Sequence, residues 1–87
     1  MKSLLIDPQA IEDLKWWVHQ DRRIALKIFE LIEELPIKPF AGKGKPEPLR
    51  YNLSGLWSRR ITQEHRLVYE VTNEFIRVIS CRYHYRD

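Results

Sequence analysis

The side chains in this sequence able to do chemistry cluster in its second half: Glu47, Arg60, Arg66, His84 and Tyr85. The two arginines flank a polar stretch within Trp57-Ser58-Arg59-Arg60-Ile61-Thr62-Gln63-Glu64-His65-Arg66-Leu67-Val68-Tyr69, which reads as a hairpin centred near Gln63. In that register Arg60 lies opposite Arg66, and Arg59 opposite Leu67. Like charges placed directly opposite across a sheet repel, and an anion held between them removes the penalty. A phosphate suits the position, because guanidinium forks match its oxygens. The plainer reading, with both arginines turned into water, stays open at this point.

If the anion is an RNA phosphate, the remaining residues complete a reaction. RNA can be cut without a metal, since its own 2′-hydroxyl attacks the neighbouring phosphorus. A base must take the 2′ proton, cations must meet the charge that grows on phosphorus, and an acid must protonate the departing 5′-oxygen. Glu47 suits the base, Arg66 with Arg60 the charge stabiliser, and His84 the acid, since an ordinary imidazole titrates at about 6.5. Lys43, Lys45, Arg59 and Arg60 are the expected substrate-binding cations, and Tyr85 can stack on a base. Each has a plainer alternative: a solvated acid in a loop for Glu47, a surface histidine for His84, and a ring capping the sheet for Tyr85. His65, at a strand start, can be either structural or functional.

Other chemistries fit poorly. Cys81 and His84, three apart on a strand, would point to opposite faces and make no nucleophile–base pair. The three histidines and one cysteine match no zinc pattern. Gly42-Lys43-Gly44-Lys45 lacks the strand and helix that border a phosphate loop. No metal and no cofactor is expected.

The elements that must position these residues are those of a small α+β fold. A chain of 87 residues buries only about 60–65% of its unfolded surface, so one two-layer domain over 1–87 is expected. Lys2 to Ile6 reads as a strand. Asp7-Pro8 opens a helix carrying Ala10, Ile11, Leu14, Trp17 and Val18, with Glu12 and Asp13 favoured by the dipole of its early turns. Asp21 caps a second helix with Ile24, Ile28, Leu31, Ile32 and Leu35 on one stripe, stopped by Pro36. Pro36 to Pro48 contains four prolines and two glycines, which exclude helix and central strand. Strands follow at Leu49–Leu53, Leu56–Ile61, His65–Val71 and Phe75–Tyr83. The helix pair should cover one face of this mainly antiparallel sheet.

With the last hairpin centred on Asn73, Arg66 faces Ser80 and Val68 faces Val78, and Arg82 and His84 share their face with Arg60 and Arg66. The apolar face then holds Ile61, Leu67, Tyr69, Val71, Phe75, Ile79, Cys81 and Tyr83, with Arg59 and Arg77 at its edges. A one-residue slip in either turn would reverse the assignment.

Charge is unevenly spread. Residues 1–36 hold five Lys/Arg against seven Asp/Glu, and residues 37–87 hold ten against five; the basic half would attract a polyanion. A single cysteine excludes an internal disulfide and fits a reducing compartment. The apolar run at the N-terminus is far too short for a signal or a membrane span, so a cytoplasmic protein with no membrane partner is expected.

The segments Pro39-Phe40, Gly42-Lys43-Gly44-Lys45-Pro46-Glu47-Pro48-Leu49, Asn52-Leu53-Ser54-Gly55, Trp57-Ser58-Arg59-Arg60-Ile61, Glu64-His65-Arg66-Leu67-Val68-Tyr69 and Cys81-Arg82-Tyr83-His84-Tyr85 closely resemble the YoeB/Txe family of toxins, in the RelE superfamily of bacterial type II toxin–antitoxin modules. The resemblance implies a RelE-like, microbial-RNase-like fold and an mRNA interferase, a metal-independent endoribonuclease that cuts mRNA in the ribosomal A site. It places the family's general base on Glu47, its phosphate-binding arginines on Arg60 and Arg66, its general acid on His84, its terminal aromatic on Tyr85 and its basic residue after the loop on Arg50, where lysine is usual. It also implies a YefM-type antitoxin, contact with the ribosome and mRNA, homodimers in some members, and operator DNA bound only through the antitoxin complex. The family pattern ends at Tyr85, whereas Arg86 and Asp87 follow here. Two other readings stand beside it: a non-catalytic ParE-like toxin acting on a protein target, and a degenerate member that only pairs with its antitoxin.

Overall fold

The computed structural model describes residues 2–50 and 55–83. The expected strand residues 51–53 lie outside these, as do His84, Tyr85, Arg86 and Asp87.

The chain runs β1 (Ser3–Ile6), α1 (Pro8–Gln20), α2 (Arg22–Glu34), β2 (Glu47–Pro48), β3 (Leu56–Arg60), β4 (Arg66–Val71) and β5 (Phe75–Ser80). The sheet order is β1-β5-β4-β3-β2. β1 is parallel to β5, and every other described pairing is antiparallel. One helical face packs on one sheet face, joining Ala10, Leu14, Trp17, Ala25, Ile28, Leu31, Ile32 and Leu35 to Ile61, Leu67, Tyr69, Ile76, Val78 and Cys81. Asp21 caps α2 as expected, accepting from Arg23 N–H at 3.1 Å. Asp7 holds the position before α1, but its side chain makes no cap bond and instead meets Arg77 Nη1 at 3.0 Å. Proline at the first helical position leaves one fewer N–H to satisfy there.

The first hairpin has the expected register, with Arg59 opposite Leu67 and Arg60 opposite Arg66. The last one does not. Val71 pairs with Ile76 and Tyr69 with Val78, then the register shifts so that Val68 pairs with Ser80. The turn is slipped by one residue relative to a hairpin centred on Asn73, so Ile76 and Val78 enter the core while Phe75 and Ile79 do not. Ile79 is the extra residue of a bulge, and the bulge reverses the faces again. Beyond it Cys81 points into the core and Ser80 away from it, as first expected. Parity fails again past Cys81: the Arg82 guanidinium lies 3.6 Å from the ring centre of Trp16 in α1 rather than beside Arg66. Tyr83, expected in the core, is half exposed.

Candidate active site

Glu47 is not in a loop, as expected, but in a two-residue edge strand. β2 pairs with β3 so that Glu47 lies opposite Ser58, Ser58 opposite Val68, and Val68 opposite Ser80. These residues form one row across four strands on the face away from the helices, with Arg60 and Arg66 the next row along. An edge position tolerates Pro46 and Pro48, whose missing N–H groups no neighbouring strand needs. Gly44 brings the preceding loop to this edge. Its carbonyl accepts from Arg60 N–H at 2.6 Å, it has φ +81°, and an added Cβ would lie 3.0 Å from the Arg60 carbonyl oxygen. Only glycine meets both demands without strain.

From this row Glu47 Oε1 approaches Arg66 Nη1 to 3.6 Å. Arg66 Nε is buried without a hydrogen-bond partner among the described residues. Next to the pair, Lys27, Arg60, Ile61, Thr62, Gln63 and Arg66 line an open cavity of about 520 Å³. Three of these side chains are cationic and none is acidic. Lys27 reaches it from α2 and donates to the Ile61 carbonyl at 2.6 Å, using one of its three donors.

The other expected cations sort differently. Lys45 and Arg50 are exposed near β2. Lys43 turns towards α2, its Nζ 3.9 Å from Glu30. Arg59, expected to bind substrate from the edge of the apolar face, is fully buried. Its Nε donates to Tyr69 Oη at 3.2 Å, its Nη1 to Glu34 Oε1 at 2.6 Å and to the Lys43 carbonyl at 3.2 Å, and its Nη2 to the carbonyls of Ala41 and Lys38. All five donors are consumed inside the protein, which removes Arg59 from the substrate-facing set. The Arg59 hydrogen bond, and then the Lys43 backbone N–H, lower the Glu34 pKa below the ordinary glutamate value. Burial raises that of Tyr69 against the opposing pull of Arg59, and its hydroxyl donates to the Pro39 carbonyl at 2.7 Å. The charge of Arg59 thus fastens the loop that carries Lys43 and Gly44.

Two residues of α1 do more than line its apolar stripe. Asp13 Oδ2 accepts from Cys81 N–H at 2.9 Å, and Trp17 Nε1–H donates to the Cys81 carbonyl at 2.8 Å. Together they grip the chain where it leaves β5 for His84. The available signal was position, since Asp13 shares the helical stripe of Ala10, Leu14 and Trp17, where an acid stays only with partners. Among the described residues, no group of three or more His, Cys, Asp or Glu side chains could hold a metal.

Residues 6–85 match the family profile of the YoeB-like toxin of bacterial type II toxin–antitoxin systems. The chain belongs to that family. Toxin YoeB of Escherichia coli K12 is 54% identical over 83 residues, covering 95% of this chain and 99% of that one. The structure of a YoeB/ParE toxin from Agrobacterium tumefaciens superposes with a TM-score of 0.88 at 46% identity, over 98% of this toxin and all of the other chain. Two structures from Staphylococcus aureus are similar as well. A YoeB dimer has a TM-score of 0.85 at 44% identity, covering 97% of this chain and 98% of its own; a YoeB–YefM complex has 0.82 at 42%, covering 98% and 99%.

Proposed function

We propose that this YoeB-like toxin is a ribosome-dependent endoribonuclease that cuts mRNA in the A site and so stops translation. Glu47 takes the 2′ proton, the O2′–P bond forms, and charge on the phosphoryl oxygens meets Arg66 and Arg60. The P–O5′ bond breaks as His84 supplies a proton to the leaving oxygen, which leaves a 2′,3′-cyclic phosphate and a 5′-hydroxyl. Tyr85 stacks on a neighbouring base, and Lys45 and Arg50 hold the flanking backbone. The nucleophile belongs to the RNA, so the reaction calls for no metal.

The observation that carries this reading is the approach of a carboxylate to an arginine that lines a cationic cavity. Glu47 stands 3.6 Å from Arg66 beside a cavity with three cationic side chains and no acid in its lining. A protein-binding toxin has no use for that combination. Free RNA is expected to be a poor substrate, because a carboxylate base among cations gains most when the ribosome positions the 2′-hydroxyl.

The reading extends to partners. The S. aureus relatives are described as a YoeB dimer and a YoeB–YefM complex, and we infer a YefM-type antitoxin and self-association for this chain, with operator DNA bound through the complex. The deciding experiment is mapping mRNA 5′ ends after induction in cells. Ends at a fixed position within codons support A-site cutting. Arrest of DNA replication with translation and mRNA intact would replace this reading with a ParE-like one.

A further inference from the structure

Tyr83 lies three residues past the end of β5. Its backbone is held by one dipeptide, made of His65 and the first residue of β4, Arg66. Tyr83 N–H donates to His65 Nδ1 at 2.8 Å, and the Tyr83 carbonyl accepts from Arg66 N–H at 3.0 Å. Tyr83 has φ +61°, a left-handed conformation uncommon for a residue with a side chain. A backbone N–H can only donate, so His65 Nδ1 presents a lone pair and the ring carries its proton on Nε2. The ring is itself confined, edge-on to Trp17 with centroids 4.8 Å apart and tilted against the Tyr83 ring at 5.0 Å. Trp17 also holds the Cys81 carbonyl, so the same aromatic group secures the chain two residues earlier.

We infer that His65 is a positioning residue for the C-terminal segment. Consecutive Cα atoms are about 3.8 Å apart, so a hold on Tyr83 sets where His84 begins. The hold comes from the residue adjacent to Arg66, so it ties the origin of the proposed acid to the arginine that meets the phosphate. His65 touches neither substrate nor scissile bond in this role; it acts through Tyr83. The inference rests on the nuclease reading, with His84 as the acid.

Two substitutions separate the acceptor from the ring. His65→Phe keeps an aromatic ring against Trp17 and removes Nδ1. His65→Asn gives up the ring but offers Oδ1 near the place of Nδ1. Cleavage of mRNA on programmed ribosomes would be followed for both, with hydrogen exchange at the Tyr83 amide in the toxin alone. His65→Phe should lower kcat by about 10- to 100-fold, the scale of a misplacement near 1 Å, with KM within about twofold, and should speed Tyr83 exchange. His65→Asn should retain most of kcat and the protection of Tyr83. The reverse order, with the Phe variant active and the Asn variant slow, would make the ring a packing element and overturn the inference, as would an Asn variant that does not fold. If the Phe variant does not fold, the Asn variant decides alone, on retained kcat and Tyr83 protection. Wild-type toxin inert on programmed ribosomes would instead end the nuclease reading. Tyr83 exchange would then judge the hold alone: faster in His65→Phe supports it, unchanged overturns it.

Discussion

Arg59 Nη1 donates to Glu34 Oε1 across 2.6 Å, joining β3 to the last residue of α2. The arginine is fully buried and the glutamate side chain 21% exposed. Removing one partner of such a pair strands the other charge, at a cost of about 3–5 kcal/mol when both are buried. Solvent at Glu34 puts Glu34→Gln near the lower end, at about 3 kcal/mol. Urea unfolding at pH 7 measures it, and an unchanged midpoint would show that the pair contributes nothing.

The same pair makes stability depend on pH. The folded pKa of Glu34 is depressed, chiefly by the Arg59 hydrogen bond. Its contribution is therefore full above the unfolded glutamate value of about 4.3 and is lost as pH falls through the lower folded value. The gap in unfolding free energy between wild type and Glu34→Gln should hold steady from pH 7 to 5 and narrow below about 4. A gap that widened towards acid would contradict the assignment.

Gly44→Ala tests how the loop reaches the site. With φ +81° and the Arg60 carbonyl oxygen 3.0 Å from the new Cβ, the substitution should cost about 1–2 kcal/mol in backbone conformation. Cleavage should fall further than stability, because the strain lies three residues from Glu47. Thermal melts and ribosome assays on one preparation compare the two losses, and full activity in the variant would mean that Glu47 is placed independently of this loop.

The arginine pairing was legible because a short polar turn between two apolar strands leaves one register that keeps the apolar side chains together. The last hairpin was not, because its one-residue slip and the bulge at Ile79 mark no residue type, and only packing against α1 and α2 selects them. Arg59 was misjudged for another reason. Most of its acceptors are main-chain carbonyls of residues 38–43, and no side-chain pattern announces a carbonyl. Asp13 could have been read, as an acid on an apolar helical stripe. Glu47 stands out in the sequence among its prolines, yet that they sit in an edge strand follows only from pairing with β3.

Glu47 and Arg66 should both matter for cleavage, and Glu47 little for folding. Glu47 is 57% exposed at its side chain, and exposed pairs contribute about 0–1 kcal/mol. Glu47→Gln should therefore fold normally while losing about 10²–10⁴-fold in cleavage, as for removal of a general base. Arg66→Ala should lose about 10²–10³-fold for want of one electrostatic donor. Single-turnover cleavage on programmed ribosomes, beside urea melts, reports both quantities. Near-wild-type rates in either variant would remove that residue from the mechanism.

Cys81 should be chemically silent in the folded toxin. It is fully buried, and burial, with the Asp13 carboxylate adding to it, pushes the thiol up to about 12. At pH 8 the thiolate is then on the order of one in ten thousand molecules, and only the thiolate attacks. Both effects act in one direction, so a thiol-specific disulfide reagent should label native protein only as fast as the chain opens, and urea past the unfolding midpoint should release full reactivity. Asp13→Asn removes the nearby negative charge but keeps an oxygen for the Cys81 N–H, so native labelling should rise only slightly if burial dominates. Labelling of native Asp13→Asn at the rate of a free thiol would mean that the charge, or the grip on Cys81 that it provides, governs access instead.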